Sequence, residues 1–266
     1  MATAVQQILE AHWRLRRVLL ASARVELQKR YAGSLLGPFW TVLYPLLFLS
    51  VYLFLWLVVF RVRFSPTTSA LDYVLFVFGG LVPYLFLVES VTSAAVSIRQ
   101  NIHLVKGVIV PVELIPTRAV LVALAAHAVG LCLVIALSIG NGSLSWHVAW
   151  LPGVLALQIV AVAGVAWIVA ALGVLIPDTA YLVNLATMLL MFVSPIAFKP
   201  EMVPERFRAV VWLNPVSYMT DAYRAALLGA SVPVSSLLVF AVGAVAAFAV
   251  GATFCWRFKN FIVDFE

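Results

Sequence analysis

The chain has 266 residues, of which 64% are hydrophobic and only 11% charged, and its mean hydropathy is +1.09. A water-soluble domain of this length needs no such apolar excess, so lipid is the solvent for most of it. The 17 Lys and Arg outnumber 11 Asp and Glu for a net charge of +6; in a membrane protein that bias reports topology and is no argument for nucleic acid.

From the N-terminus, residues 5–30 read as an amphipathic interface helix. Val5, Ile8, Leu9, Trp13, Leu15, Leu19 and Leu20 lie on one side and Gln6, Glu10, Arg14, Arg17 and Arg24 opposite, with Arg16 breaking the pattern. The basic residues of this stretch, from Arg14 to Arg30, leave no short apolar core for a cleavable signal peptide. Pro38 to Phe60 is an uncharged run of 23 residues, about 34 Å as a helix, with Pro38 to start it and Arg61 and Arg63 to close it. Four further spans fall at about 71–95, 115–139, 148–176 and 234–256, and a shorter one at 181–198 follows the break Pro177-Asp178-Thr179. Residues 199–233, too polar to cross and too aromatic for a plain loop, are expected to form short re-entrant helices on the outer side. The predicted fold is therefore an all-α integral membrane protein forming one domain over 1–266. It has six transmembrane helices, an N-terminal interface helix, and re-entrant helices between spans five and six.

With both termini inside, the cytoplasmic segments carry 11 Lys and Arg and the outer segments 6, which favours an N-in, C-in topology. No phosphate-binding glycine loop, H-E-x-x-H or G-x-S-x-G is present, so neither a catalytic residue nor a metal set is assigned, and ATP hydrolysis has to come from a partner. Cys132 and Cys255 lie far apart in apolar runs and read as packing residues. The in-span polar residues Glu89, His127, Gln158 and Asn184 are scattered singly. His127 and Gln158 read as interhelical contacts, and Glu89, near the cytoplasmic end of span two, stays open. The small face Ala163, Ala166, Ala170 and Gly173 of span four reads as close helix packing.

The stretch from Lys29 to Trp40, K-R-Y-A-G-S-L-L-G-P-F-W, joins a basic pair to a glycine-bounded turn and an interfacial aromatic, and Pro45 follows. Arg30, Tyr31, Ser34, Leu36, Gly37, Trp40 and Pro45 stand in the register of the signature that precedes span one in permeases of ABC-2 type exporters. The sequence resembles in particular the polysaccharide-exporting branch. Ser194-Pro195-Ile196 and Leu213-Asn214-Pro215-Val216-Ser217-Tyr218, with Tyr223-Arg224 after them, are similar to that family too.

The resemblance implies a permease that dimerises with a second copy and pairs with two copies of an ABC ATPase. The complex would move a lipid-linked polysaccharide across a bacterial inner membrane, with ATP and Mg on the partner and no cofactor on this chain. It also implies a coupling helix between spans two and three, here about Ser97 to Glu113 with Arg99, Gln100, Asn101, His103, Lys106 and Glu113, assisted by the charged side of the N-terminal helix. The outer gate would lie after span five, around Asn214, Pro215, Tyr218 and Arg224, where Arg206, Arg208 and Arg224 are candidates to meet a pyrophosphate or an anionic sugar. Tyr44, Phe48 and Tyr52 recur every four residues on one face of span one and are candidates to line the channel, since aromatic rings slide along sugar faces; packing between helices is the competing reading. O-antigen is the expected glycan. Capsule, teichoic acid, and a drug or small lipid are the alternatives; the drug exporters usually have a longer outer domain and a different lead-in to span one. An intramembrane enzyme, which wants paired titratable groups, and an ATP-independent channel are disfavoured.

Overall fold

The computed structural model describes residues 2–30, 32–59, 69–103, 110–229 and 234–265, and among these it contains helices and no strands. Tyr31, Arg61, Arg63 and Lys106 lie outside the described residues.

The N-terminal segment forms two helices, α1 (Ala2–Arg14) and α2 (Arg16–Arg30), with the interruption beside Arg16. Backbone hydrogen bonds from Leu15 N to Ala11 O (3.0 Å) and from Leu19 N to Leu15 O (2.9 Å) bridge the interruption, so the pair behaves as one bent rod. Ala4, Ile8, Leu19 and Ala23 are buried against the protein, whereas Leu9, Trp13 and Leu20 are exposed. The apolar side predicted as one face is thus two: one packs on helices, the other is left for the bilayer interface.

The region predicted as span one holds α3 (Trp40–Leu53), which carries Pro45 inside it and runs on as a π-helix over Phe54–Val59. α4 (Ala70–Gln100) opens on a capping box, with Asp72 N donating to Ser69 Oγ (3.0 Å) and Ser69 N to Asp72 Oδ2 (3.2 Å). α5 (Leu114–Gly140), α6 (Leu151–Leu175, preceded by a 3-10 turn at Trp146–Trp150), α7 (Thr179–Val193), α8 (Glu205–Leu213), α9 (Pro215–Leu228) and α10 (Val234–Phe265) follow.

Among the described residues, four helices are long and apolar enough to cross a bilayer: Ala70–Gln100, Leu114–Gly140, Trp146–Leu175 and Val234–Lys259. Trp40–Leu53 and Thr179–Val193 are apolar but shorter. α7 stops at Val193 because Pro195 disfavours the helical conformation for the residue before it, and Ser194 is extended (φ −81°, ψ 142°).

α4 is the central element, buried along most of its length and packed against α5, α6 and α9. Hydrophobicity alone does not bring helices together in lipid, so close backbone approach has to. Gly173 of α6 provides it, since a Cβ there would stand 1.9 Å from Ala95 O of α4. Ala163, Ala166 and Ala170 on the same face are all buried.

Candidate functional site

The elbow that precedes span one is built by glycine. After α2 ends at Arg30, Gly33 (φ 79°) and Gly37 (φ 50°) take the left-handed backbone that other residues avoid, and the 3-10 turn Gly37–Phe39 delivers the chain into α3. Arg30 forms an ion pair with Glu89 of α4, which fastens the elbow to span two.

The predicted aromatic stripe forms a ladder in α3. Tyr44 and Phe48 are stacked at 6.5 Å between ring centroids, and Phe48 and Tyr52 at 6.4 Å. Tyr44 is exposed, while Phe48 and Tyr52 are half-buried against the main apolar cluster.

Of the predicted coupling segment, Arg99, Gln100, Asn101 and His103 are described at the end of α4. Gln100, Asn101 and His103 line one wall of an open groove of about 720 Å³. The other wall is α2, through Val18, Ser22, Glu26 and Lys29, and Arg118 of α5 closes it with an ion pair to Glu26 (3.7 Å). Asn101 donates through Nδ2 to Ser97 O (2.8 Å), ending α4.

Glu113 lies apart from this groove. It is the N-cap of α5 and only 5% exposed, and its Oε1 stands 3.3 Å from Lys259 Nζ of α10. Around it is a polar cluster that sequence reasoning missed. Trp167 Nε1 of α6 donates to the Glu113 carbonyl (3.0 Å) and to Thr117 Oγ1 (3.0 Å), and His12 Nε2 of α1 meets the same hydroxyl at 2.8 Å. One cluster thereby ties α1, α5, α6 and α10 together; the available hint was His12 standing four residues after Ile8 on a helix face that packs inward.

The motifs around Ser194 and Asn214 meet. Asn214 caps α9, its Oδ1 accepting from Val216 N (2.9 Å), and its Nδ2 donates to Ser194 Oγ (2.9 Å). Pro215 occupies the first turn of α9, where its missing N–H is harmless. Ser217 Oγ and Tyr218 OH donate to the carbonyls of Val211 and Trp212, both at 2.7 Å.

The non-helical residues 194–197 are buried, so their carbonyls need donors. Arg224 NH2 reaches Ile196 O (2.8 Å), and Tyr73 OH reaches Ala197 O (3.1 Å). Arg224 also donates through Nε to Phe76 O (3.1 Å) and lies 3.5 Å from the Phe76 ring centroid. It is only 4% exposed, and its described hydrogen bonds go to backbone carbonyls. Arg208 likewise serves backbone, donating to Val203 O (3.0 Å) and Glu201 O (3.2 Å).

A cavity of about 370 Å³ lies between α3, α4 and α5, with Trp40 and Tyr44 on one side, Arg30 and Glu89 at one end, and His127 on the α5 wall. His127 Nε2 is 3.2 Å from Tyr223 OH, and that hydroxyl donates its one proton to Gln158 Oε1 (2.5 Å). The tyrosine oxygen therefore accepts, which places the ring proton of His127 on Nε2 and leaves Nδ1 bare. A bare nitrogen cannot donate to the Val82 carbonyl beside it, so Nδ1 has no hydrogen bond among the described residues. Gln158 Nε2 completes the chain on Pro83 O (2.7 Å). His127 and Gln158 are thus interhelical contacts, as expected, with Tyr223 as the shared partner.

These features define a multi-pass helical membrane protein with several polar contacts between helices and an open groove against the N-terminal helix. The sequence profile of the ABC-2 type transporter family matches residues 17–228, from within α2 to the end of α9. The chain belongs to that family and is a transporter membrane subunit. It is 28% identical over 211 residues to the O-antigen export system permease protein RfbA of Klebsiella pneumoniae, covering 78% of each chain. To the protein of the same name from Myxococcus xanthus it is 29% identical over 216 residues, covering 80% of this chain and 81% of the relative.

Proposed function

We propose that this chain is the permease subunit of an ATP-driven exporter that moves a lipid-linked polysaccharide, O-antigen in the first instance, across the bacterial inner membrane. The reading has it as a six-span homodimer with N and C termini inside, α3 and α7 counting as spans one and five. Two ABC ATPase subunits would bind its cytoplasmic face and hold all of the ATP and Mg. The observation that carries it is the groove between α2 and the Gln100–His103 segment, an open cleft with polar side chains on both walls. A docking protein finds there the carboxylate of Glu26, the ammonium of Lys29 and the polar heads of Gln100, Asn101 and His103 on two different helices. Movement of the ATPase would therefore reach both span two and the elbow. O-antigen is preferred to capsule, teichoic acid or a small lipid because both relatives are named for it.

Purification with a candidate ATPase, followed by measurement of which lipid-linked glycan stimulates hydrolysis, tests the whole reading. Substituting Gln100, Asn101 and His103 together by Ala is expected to weaken copurification. Unchanged assembly and ATP turnover would remove the coupling assignment, and stimulation by a non-glycan lipid alone would remove the polysaccharide.

A further inference from the structure

We propose that the cavity between α3, α4 and α5 is a binding site for the neutral glycosyl head of a membrane amphiphile. The inference deepens the function above and rests on it, since a lipid-linked glycan is the amphiphile such an exporter would meet.

The volume, about 370 Å³, falls in the range of about 300–1,000 Å³ typical of small-molecule sites. Its chemistry selects the occupant. Arg30 and Glu89 at one end are paired, so the site offers a donor and an acceptor with no net charge. A bare anion would have to displace Glu89 from Arg30. A polyol can bind both at once, accepting from the guanidinium and donating to the carboxylate.

Trp40 and Tyr44 stand four residues apart on α3, so one helix face offers two rings to the apolar side of a sugar. The hydroxyls of Thr41 and Ser93 lie on facing walls. On the α5 wall the ring of His127, only 3% exposed, closes the cavity. The remaining wall, including Val82, Leu85 and Phe86, is apolar and suits the start of a lipid chain.

The other face of His127 gives the site a route outward. Its Nε2 is bonded to Tyr223 of α9, the helix capped by Asn214, so an occupant that moves the imidazole also strains a contact of the outer region.

The experiment uses the full chain with its ATPase in phospholipid nanodiscs and two photoreactive probes of equal chain length, a dodecyl maltoside and a dodecylphosphocholine, each with a diazirine on its head group. The maltoside is expected to label peptides containing Trp40–Pro45, Leu85–Ser93 or Ala126–Gly130, octyl glucoside to compete, and the phosphocholine probe to label these peptides weakly. Glu89→Gln, which keeps the shape and removes the charged acceptor, is expected to weaken labelling about tenfold, as loss of one charge-assisted hydrogen bond does. Ala126→Phe, which fills the cavity, is expected to abolish it, with copurification of the ATPase reporting that the variant is folded.

Equal labelling of the same peptides by the phosphocholine probe, or maltoside labelling that survives Glu89→Gln and Ala126→Phe alike, would overturn the proposal. Neither probe is the exported glycan, so failure here leaves the permease assignment standing; that assignment falls only with the absence of glycan-stimulated hydrolysis.

Discussion

Lys259 Nζ of the last helix stands 3.3 Å from Glu113 Oε1 at the start of α5, joining two helix ends that are 146 residues apart in the chain. The partners are unequally placed, with side-chain exposures of 42% for the lysine and 6% for the glutamate. Removing the lysine strands a carboxylate whose Oε2 already lacks a partner, whereas removing the carboxylate's charge lets the lysine turn to water. Lys259→Ala is therefore expected to destabilise by about 1–3 kcal/mol, and Glu113→Gln by less. The double variant should fall short of the sum, because the two residues share one contact. Thermal unfolding of the detergent-solubilised protein measures all three, and identical melting of Lys259→Ala and the parent would show the pair contributes nothing.

Arg224 is expected to be the most sensitive basic residue in the outer half of the chain. It satisfies Phe76 O and Ile196 O, and an unpaired buried carbonyl costs about 1–3 kcal/mol. Lysine cannot replace a planar fork that reaches two carbonyls and lies over a ring, so Arg224→Lys should behave nearly as badly as Arg224→Leu. Gly80 makes the space, since a Cβ there would come within 2.9 Å of Arg224 NH2. Gly80→Ala should reproduce part of the defect and add little to Arg224→Leu. The folded fraction recovered by size exclusion in detergent reads both; additive losses would show that Gly80 acts through something other than this arginine.

What could be read from the chain beforehand divides along a physical line. The elbow was legible because its residues act locally: Gly33 and Gly37 bend the chain wherever they stand, as Pro195 ends the helix before it. Long-range pairs were not. Nothing near Glu89 announces Arg30, 59 residues before it. Glu113 read as the end of the coupling segment, but an N-cap can point inward as well as outward, and this one meets Lys259 of α10 while the indole of Trp167 holds its backbone carbonyl. Arg224 looked like an outer-surface cation because it follows a polar stretch; the buried carbonyls that claim it come from residues 76 and 196, and hydropathy does not register an unsatisfied carbonyl. The apolar side of the first helix divided into a protein face and an exposed face because periodicity reports which side is apolar and is silent about what covers it.

The docking of α1 should depend on pH through His12. Burial holds the imidazole pKa below its usual 6.5, while the hydrogen bond to Ile8 and the charge of Glu113 pull the other way with less effect. In the neutral ring Nδ1 donates to Ile8 O (2.7 Å), and Nε2 stands 2.8 Å from the Thr117 hydroxyl, whose one proton it shares with the Glu113 carbonyl 3.0 Å from that oxygen. The charged groups facing it are Glu113 of α5 and, through that carboxylate, Lys259 of α10; Trp167 of α6 is neutral. The undocked state takes up a proton more readily than the docked one, so His12 contributes its full stability above about pH 6.5 and loses it as the pH falls below that value. Melting temperatures between pH 8 and pH 5 should therefore drop more steeply for the parent than for His12→Phe. Equal slopes would mean that His12 does not titrate on docking.

The aromatic ladder of α3 separates transport from packing most cleanly, because its three rings differ in burial. Tyr44 is 63% exposed, whereas Phe48 and Tyr52 rest partly on the core. If the ladder serves the passage of sugar, Tyr44→Ala should lower surface polysaccharide while leaving the protein's melting and its copurification with the ATPase unchanged, since an exposed ring contributes little to the fold. Phe48→Ala removes a partly buried ring stacked on both neighbours and should cost stability as well as export, on the order of 1–3 kcal/mol. Leu at position 48 restores apolar volume without a flat face, so Phe48→Leu should recover the melting temperature and not the export. Export that recovers together with stability in Phe48→Leu, or that is undisturbed in Tyr44→Ala, would make the ladder a packing feature of span one and move the sugar path to other helices.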